Sequence, residues 1–314
     1  MVPVGVDYCG KIPILPTSPD AVLTFTPKSA LDLRLTLGPI GQGPWLRIEP
    51  TQARRATLTP EGPATLHVAI RGDSVEARAW GPGASWAVAQ APALCGEEDD
   101  AASFAPENPF IKNLQRHAMG LRITKTKAVF EALVPAVLGQ KVSGAEAHRA
   151  YLMLVRELGT QAPAHPQMIV PPGPAVLAAT PYWTFHRFGV ERRRAETIIR
   201  AARSARRLEE AVSMDHSGAR ARLEAFPGVG PWTAAMVALT ALGDADAVPV
   251  GDYNLPHAVG YALDGTPRST DERMLELLEP YRGHRGRVIR LLMAGHVGAP
   301  RFGPRMPLRN IAKT

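Results

Sequence analysis

Cysteine is nearly absent from this chain: Cys9 and Cys95 are the only two among 314 residues. So few thiols leave no cluster for zinc or iron–sulfur and suit a reducing cytoplasm. The sequence also lacks any apolar run of about eighteen residues, so no membrane-spanning helix is expected. Its opening, MVPVGVDYCGKIPILP, does not follow the basic-then-apolar order of a secretory signal. No internal repeat or low-complexity tract is present. What is abundant is hydrophobic sequence, 45% of residues, which makes a folded globular protein and excludes a disordered tail. The length accommodates two or three domains.

Charge is unevenly distributed. The formal net charge is +7, yet residues 1–110 carry 8 Lys/Arg against 12 Asp/Glu. The remainder therefore holds 28 against 17, a surplus of +11. A basic half joined to a mildly acidic half suggests a polyanionic partner for the C-terminal part; an arginine-rich solvated surface is the alternative.

Patterning divides the chain at about the same place. Leu31, Leu33, Leu35 and Leu37 alternate with Asp32, Arg34 and Thr36, the period of a half-buried strand. Leu66, Val68 and Ile70 alternate likewise, and Arg71-Gly72-Asp73-Ser74 predicts a turn into a further strand at Val75, Ala77 and Ala79. Cys95 to Pro109, with four consecutive acids at Glu97–Asp100, reads as a linker. From about Thr124 the signal is helical. Val129–Leu138 forms an apolar helix that Pro135 should kink. Ser143 and Glu146 have capping-box spacing ahead of a helix with Ala150, Tyr151, Leu154 and Val155 on one stripe, ended by Gly159. A long basic helix is predicted over Glu191–Val212, and another from Ser269, with Glu272 at capping distance, to Pro280. The expected class is α+β: an antiparallel β-rich domain over 1–104, then an all-α domain over 105–314.

The chemistry concentrates in Leu223 to Leu242. A short helix ends, Pro227-Gly228-Val229-Gly230 turns, and a second helix opens with Pro231 at its first position, followed by Trp232 and Thr233. Glycines there permit a tight hairpin and close approach of a phosphate, which the free N–H groups and dipole of the second helix would hold without reading base sequence. A plain helix–helix turn is the alternative. After a break at Gly243-Asp244-Ala245-Asp246 comes Val248-Pro249-Val250-Gly251-Asp252. Asp252 opens the next helix, where an ordinary N-cap aspartate would also sit. Asp244 and Asp246 read as solvated loop acids.

The hairpin followed by Val248–Asp252 resembles the helix–hairpin–helix DNA glycosylase superfamily, and within it the bacterial 3-methyladenine-DNA glycosylase II type. Phe130–Leu133 and Val137-Leu138-Gly139-Gln140-Lys141-Val142-Ser143 resemble that type's first core helix and following loop. Arg282-Gly283-His284-Arg285 with Val288–Leu292 resembles its last core helix. The likeness covers about 105–295, and 1–104 in outline only. It implies a catalytic role for Asp252, a phosphate anchor at Pro227–Thr233, and a structural monovalent cation, Na+ or K+, on the carbonyls of Glu224, Phe226 and Val229. It puts Gln140 and Lys141 in the loop that enters DNA, with Lys141 as a wedge in the space left by an extruded base. Trp232, Met236 and Met293 fall where the base is held.

Departures from the resemblance carry information too. Relatives that also cut the strand use a lysine where this chain has Trp232, and the cysteine quartet of endonuclease III-type relatives is missing. Methionines stand at 236 and 293 where rings are expected. The implied activity is a monofunctional glycosylase of base excision repair. It would flip an alkylated base such as 3-methyladenine out of double-stranded DNA and hydrolyse its N-glycosidic bond, without lyase activity or a required cofactor. A same-fold enzyme for a deaminated or oxidised base, and a non-catalytic DNA-binding module, are the alternatives. A cytoplasmic monomer with no membrane association is expected. His257 and His284, near Asp252 in sequence, read as structural. The arginines at 192, 193, 194, 200, 203, 206 and 207 read mainly as a solvated face.

Overall fold

The computed structural model describes residues 18–300. The opening segment and Cys9 lie outside them. Five antiparallel strands come first: β1 (Ala21–Phe25), β2 (Leu46–Ile48), β3 (Gln52–Thr59), β4 (Gly62–Arg71) and β5 (Ser74–Trp80), ordered β1-β5-β4-β3-β2. The predicted turn after Arg71 joins β4 to β5, which pair from Arg71↔Ser74 to Thr65↔Trp80. The leucine alternation at 31–37, however, does not make a strand. Asp32 accepts the Leu35 N–H at 2.9 Å and starts a short helix, α1 (Leu33–Leu37), whose Leu33 and Leu37 share the buried face. A capping aspartate overrides the period-two pattern over so short a run.

Leu66, Val68, Ala77 and Ala79 pack on α2 (Ala84–Leu94) through Ala87, Ala91 and Leu94. On the helical side the sheet is tied to the rest by Arg55, which ion-pairs Glu131 at 2.8 Å, and by Thr57, whose hydroxyl donates to the same carboxylate at 2.6 Å.

Residues 97–100 are not a solvated linker. Asp99 pairs with Arg287, both nearly fully buried, and accepts the Ile123 N–H. Glu97 pairs with buried Arg122, and Glu98 with Lys125 and Lys127. Three of the four acids therefore clamp the strand-bearing and helical parts together, because Glu97, Glu98 and Asp99 each meet a cation from the later sequence, while Asp100 caps the Ser103 N–H.

Ten helices follow: α3 (Pro109–His117), α4 (Val129–Leu138), α5 (Gly144–Leu158), α6 (Pro174–Ala179), α7 (Arg192–Arg203), α8 (Ala205–Glu209), α9 (His216–Glu224), α10 (Pro231–Val237), α11 (Leu255–Asp264) and α12 (Asp271–Leu278), with α13 (Arg285–Ala294) closing the described chain as an eleventh. The Ser143–Glu146 capping box forms as read. The helical part is not all-α, since β6 (Thr160–Ala162) and β7 (His165–Val170) make a two-stranded hairpin inside it. Met168 and Val170 of that hairpin bury against Ala56 of the main sheet. The long basic helix is broken at Ser204 into α7 and α8. Thr270, not Ser269, caps α12, accepting the Arg273 N–H at 3.3 Å. Among the described residues no helix is long and apolar enough to cross a membrane.

Two hydrophobic cores organise these helices. One gathers α4, α5, α7 and α10 around Leu133, Leu154, Phe185, Ile198 and Ala234. The other joins α3, α11, α12 and α13 through Ile111, Val259, Met274 and Val288. The segment from the hairpin to Asp252 runs from the first core to the second.

Candidate active site and nucleic-acid interface

α9 ends at Glu224 and α10 begins at Pro231, with the turn 225–230 between them. Only Gly228 takes a left-handed conformation there, φ +93°. A side chain at that position would be strained, and its Cβ would come within 2.5 Å of the Thr197 hydroxyl on α7. Gly230 instead serves as the N-cap of α10 and offers no side-chain cap. The N–H groups that open α10 are therefore left without a side-chain cap, as an incoming acceptor would require. α10 continues as a π-turn over Ala238–Leu242, giving the hairpin a longer helical base.

The loop after α4 is fastened to this turn. The Gln140 amide donates to the Gly228 carbonyl and to the Thr233 hydroxyl, both at 2.9 Å. Buried Arg194 donates to the Leu138 carbonyl at 2.6 Å and so fixes the end of α4. Lys141 follows with φ +56°, exposed, a left-handed conformation that a lysine adopts only where neighbours impose it. Sequence reading placed Gln140, Lys141 and residues 227–233 in one interface, and the structure brings Gln140 and the hairpin turn into direct contact.

Asp252 stands on the loop between the two cores, after Gly251 (φ +91°). Its Oδ1 accepts the N–H groups of Asn254 at 2.9 Å and Leu255 at 3.0 Å. Its Oδ2 accepts the indole Nε1–H of Trp232 at 3.0 Å. Asp252 is therefore not the N-cap of α11, which is Asn254; one of its oxygens holds the backbone just ahead of that helix and the other is turned to the hairpin helix. All three donors are neutral, and no Lys, Arg or His among the described residues ion-pairs with it. Half-buried Trp232 also lies against Gly139, where a Cβ would meet the indole at 3.0 Å. The indole thereby links the end of α4, the hairpin and the carboxylate.

The other expected base contacts are looser. Met236, one turn beyond Trp232, is half-buried against the first core. Met293 is 57% exposed on α13, which packs on α11 and α3. Tyr253, which the sequence reading passed over, is 85% exposed directly after Asp252. Its signal was available: an aromatic side chain beside the aspartate, on a residue with no helical stripe to join.

Several other polar residues are structural. Asp244 is buried, pairing with Arg220 and lying 3.4 Å from His216, so it is no solvated loop acid. Asp246 binds Arg285 and accepts the Gly283 N–H at 2.7 Å, which holds the Arg282–Arg285 segment in place. His257 accepts the Ser269 N–H at 3.1 Å. His284 bonds Ser103 at 2.9 Å, and burial together with Arg287 pushes its imidazole down from the usual range. Cys95 is buried, its thiol pushed up to about 12 by desolvation, hence inert. Among the described residues no cluster of three or more His, Cys, Asp or Glu could hold a metal ion. A cavity of about 570 Å³ lies at the other end of α4, between Phe130, Glu131, Leu58 and Arg206, and Asp252 does not line it.

No protein-family model matches the chain. In sequence it is similar to DNA-3-methyladenine glycosylase 2 of Escherichia coli, 31% identical over 169 residues, which is 52% of this chain and 58% of that protein. It is likewise similar to DNA-3-methyladenine glycosylase of Bacillus subtilis, 27% identical over 184 residues, 57% of this chain and 60% of that one. The chain thus spans about three-fifths of the length of these relatives. In fold it matches a 3-methyladenine DNA-glycosylase from Archaeoglobus fulgidus with TM-score 0.73 and 18% identity, over 87% of this chain and 98% of that one. It also matches an 8-oxoguanine glycosylase/lyase of Clostridium acetobutylicum, solved with double-stranded DNA, with TM-score 0.64 and 15% identity, over 88% and 97%.

Proposed function

We propose, from the fold that this chain shares with DNA glycosylases and the sequence it shares with the 3-methyladenine type, that it is a monofunctional DNA glycosylase for alkylated bases in base excision repair. The observation that carries this reading is Asp252: a carboxylate beside the hairpin, held by three neutral donors and ion-paired with no described cation.

The hairpin at Pro227–Thr233 anchors a backbone phosphate of double-stranded DNA through its free N–H groups. The damaged base leaves the stack at an expense of about a few kcal/mol, least for a damaged or mispaired base. Lys141, presented by the strained loop, enters the space left behind. The base comes to rest by Trp232, Met236 and Met293, with exposed Tyr253 as a further ring. As the C1′–N bond breaks, its electron pair leaves with the base and positive charge grows on the sugar. The unneutralised charge of Asp252 stabilises that cation and orients the water that attacks C1′. An alkylated purine already carries positive charge, so its departure requires no strong acid. Among the described residues no acid is hydrogen-bonded to Asp252, as such chemistry would allow.

Strand cleavage by lysine-bearing relatives needs an amine to form a Schiff base at C1′. Here that place holds an indole engaged with Asp252, so water completes the reaction and the abasic strand stays intact. No cofactor takes part in the reaction. The turn at Glu224, Phe226 and Val229 is suited to a structural Na+ or K+: carbonyl oxygens are hard donors, and the Phe226 carbonyl, which accepts the Val229 N–H at 3.0 Å, keeps a second lone pair.

A panel of duplexes, each with one defined lesion, tests the reading. Release of 3-methyladenine or a kindred alkylated base is expected, with alkali needed to nick the product and no adduct trapped by borohydride. Excision of only deaminated or oxidised bases would move the enzyme to another lesion. No release from any duplex would leave a binding module.

A further inference from the structure

Seven arginines between 192 and 207 look equivalent in sequence, but the structure treats them differently. Arg192 pairs with Glu196 at 2.6 Å and lies over the Tyr182 ring. Arg194 is buried and serves the Leu138 carbonyl. Arg206 borders the cavity at the far end of α4. Like Arg203 and Arg207, Arg193 and Arg200 are exposed and ion-pair with no described residue, but these two alone flank Thr197. They stand four before and three after Thr197 on α7, hence on the same stripe of the helix. Thr197 is the residue against which Gly228 of the hairpin turn packs. Its hydroxyl donates to the Arg193 carbonyl at 2.9 Å and accepts from the Arg200 guanidinium at 3.4 Å. The Arg200 charge is therefore held within two contacts of the hairpin turn.

We propose that Arg200 and Arg193 form a second phosphate-binding row beside the hairpin, taking a backbone phosphodiester next to the one that the turn itself anchors. Gly228 is then flanked on both sides by a polar side chain with a cation next to it: Gln140 with Lys141, and Thr197 with Arg200. An arginine without a carboxylate partner keeps its full charge for phosphate, and its fork suits two phosphate oxygens. The row fixes position on DNA and reads no sequence. This inference rests on the DNA-binding reading above.

The test is the dependence of binding on salt, measured with a short undamaged duplex. Each neutralised phosphate contributes about −0.9 to the slope of log K against log salt. Arg200→Gln should make the slope shallower by about 0.9, and the Arg193→Gln/Arg200→Gln pair by about 1.8. Arg206→Gln, an equal loss of charge away from the hairpin, should leave the slope unchanged. Arg200→Lys should keep it, which separates a lost phosphate contact from a disturbed fold. A wild-type slope near zero would sink the DNA-binding reading itself. A steep wild-type slope that Arg193→Gln/Arg200→Gln lowers no more than Arg206→Gln does would sink the row alone.

Discussion

Asp99 and Asp252 are both aspartates on irregular segments that bridge parts of the molecule, and their surroundings are opposites. Asp99 is buried against Arg287, with the Ile123 N–H on its other oxygen, so its charge is cancelled where it sits. Asp252 is half-buried and satisfied by an indole and two backbone N–H groups, and no described cation pairs with it. A structural carboxylate is neutralised. One intended for a developing sugar cation must be oriented without being neutralised, because field strength is what it supplies. The same contrast runs through Glu97 and Asp244, both paired with arginine.

The comparison breaks most severely on stability. Asp99→Ala would strand the Arg287 guanidinium and the Ile123 N–H in the interior, a loss of about 3–5 kcal/mol. Chemical denaturation should show it, while the fraction that stays folded keeps its rate per molecule. A loss below about 1 kcal/mol would mean that water reaches the clamp and that the pair is not structural.

Asp252→Asn should reverse the pattern. The amide oxygen can still accept from Asn254 and Leu255, so the start of α11 and the stability should be preserved. The charge is gone, and the amide N–H2 opposes the indole N–H. Single-turnover excision should fall by about 10²–10³-fold, with damaged-DNA binding largely kept. Near-normal excision by this variant would remove Asp252 from the chemistry.

Trp232→Phe probes the orienting bond alone, leaving an aromatic face for the base and deleting one donor. A hydrogen bond to a charged group contributes about 1.5–3 kcal/mol. If it acts on the carboxylate, the chemical step should slow by at least about tenfold. The affinity for DNA with an abasic product should not change. A loss confined to binding would make Trp232 a stacking platform and nothing more.

Much of this site was legible in the sequence because it is local. Gly228, Pro231 and Asp252 announce a turn, a helix start and an acid just ahead of the next helix within thirty residues, and the Ser143 capping box was equally readable. The clamp was not, since Asp99 and Arg287 lie at opposite ends of the chain and an acid run reads as solvated until its partners are known. The indole bond to Asp252 was missed for a related reason. The sequence shows Trp232 on a helix face, but not which way its N–H points. The leucines at 31–37 misled because one N-cap decides so short a segment.

The mildest change lies inside the clamp itself and tests whether its acids act as a unit. Glu98 adjoins Asp99 yet is 44% exposed, reaching Lys125 at 2.8 Å and Lys127 at 2.7 Å. Partial burial is the largest single influence on its carboxyl and acts upward. The hydrogen bonds and charges of Lys125 and Lys127 together outweigh it and hold the carboxyl below its ordinary range. A carboxyl lowered by folding stabilises above its ordinary pKa, about 4.3, and loses that contribution as pH falls through the folded value beneath it. Water and salt screen so exposed a bridge, so Glu98→Gln should cost less than about 1 kcal/mol at neutral pH. That deficit should shrink in high salt and vanish in acid, where wild-type Glu98 is itself protonated. Denaturation curves for the two proteins across pH would check this. A deficit as large as that of Asp99→Ala, or one indifferent to salt, would show that Glu97, Glu98 and Asp99 are one cooperative network, and that burial of Asp99 alone does not account for the clamp.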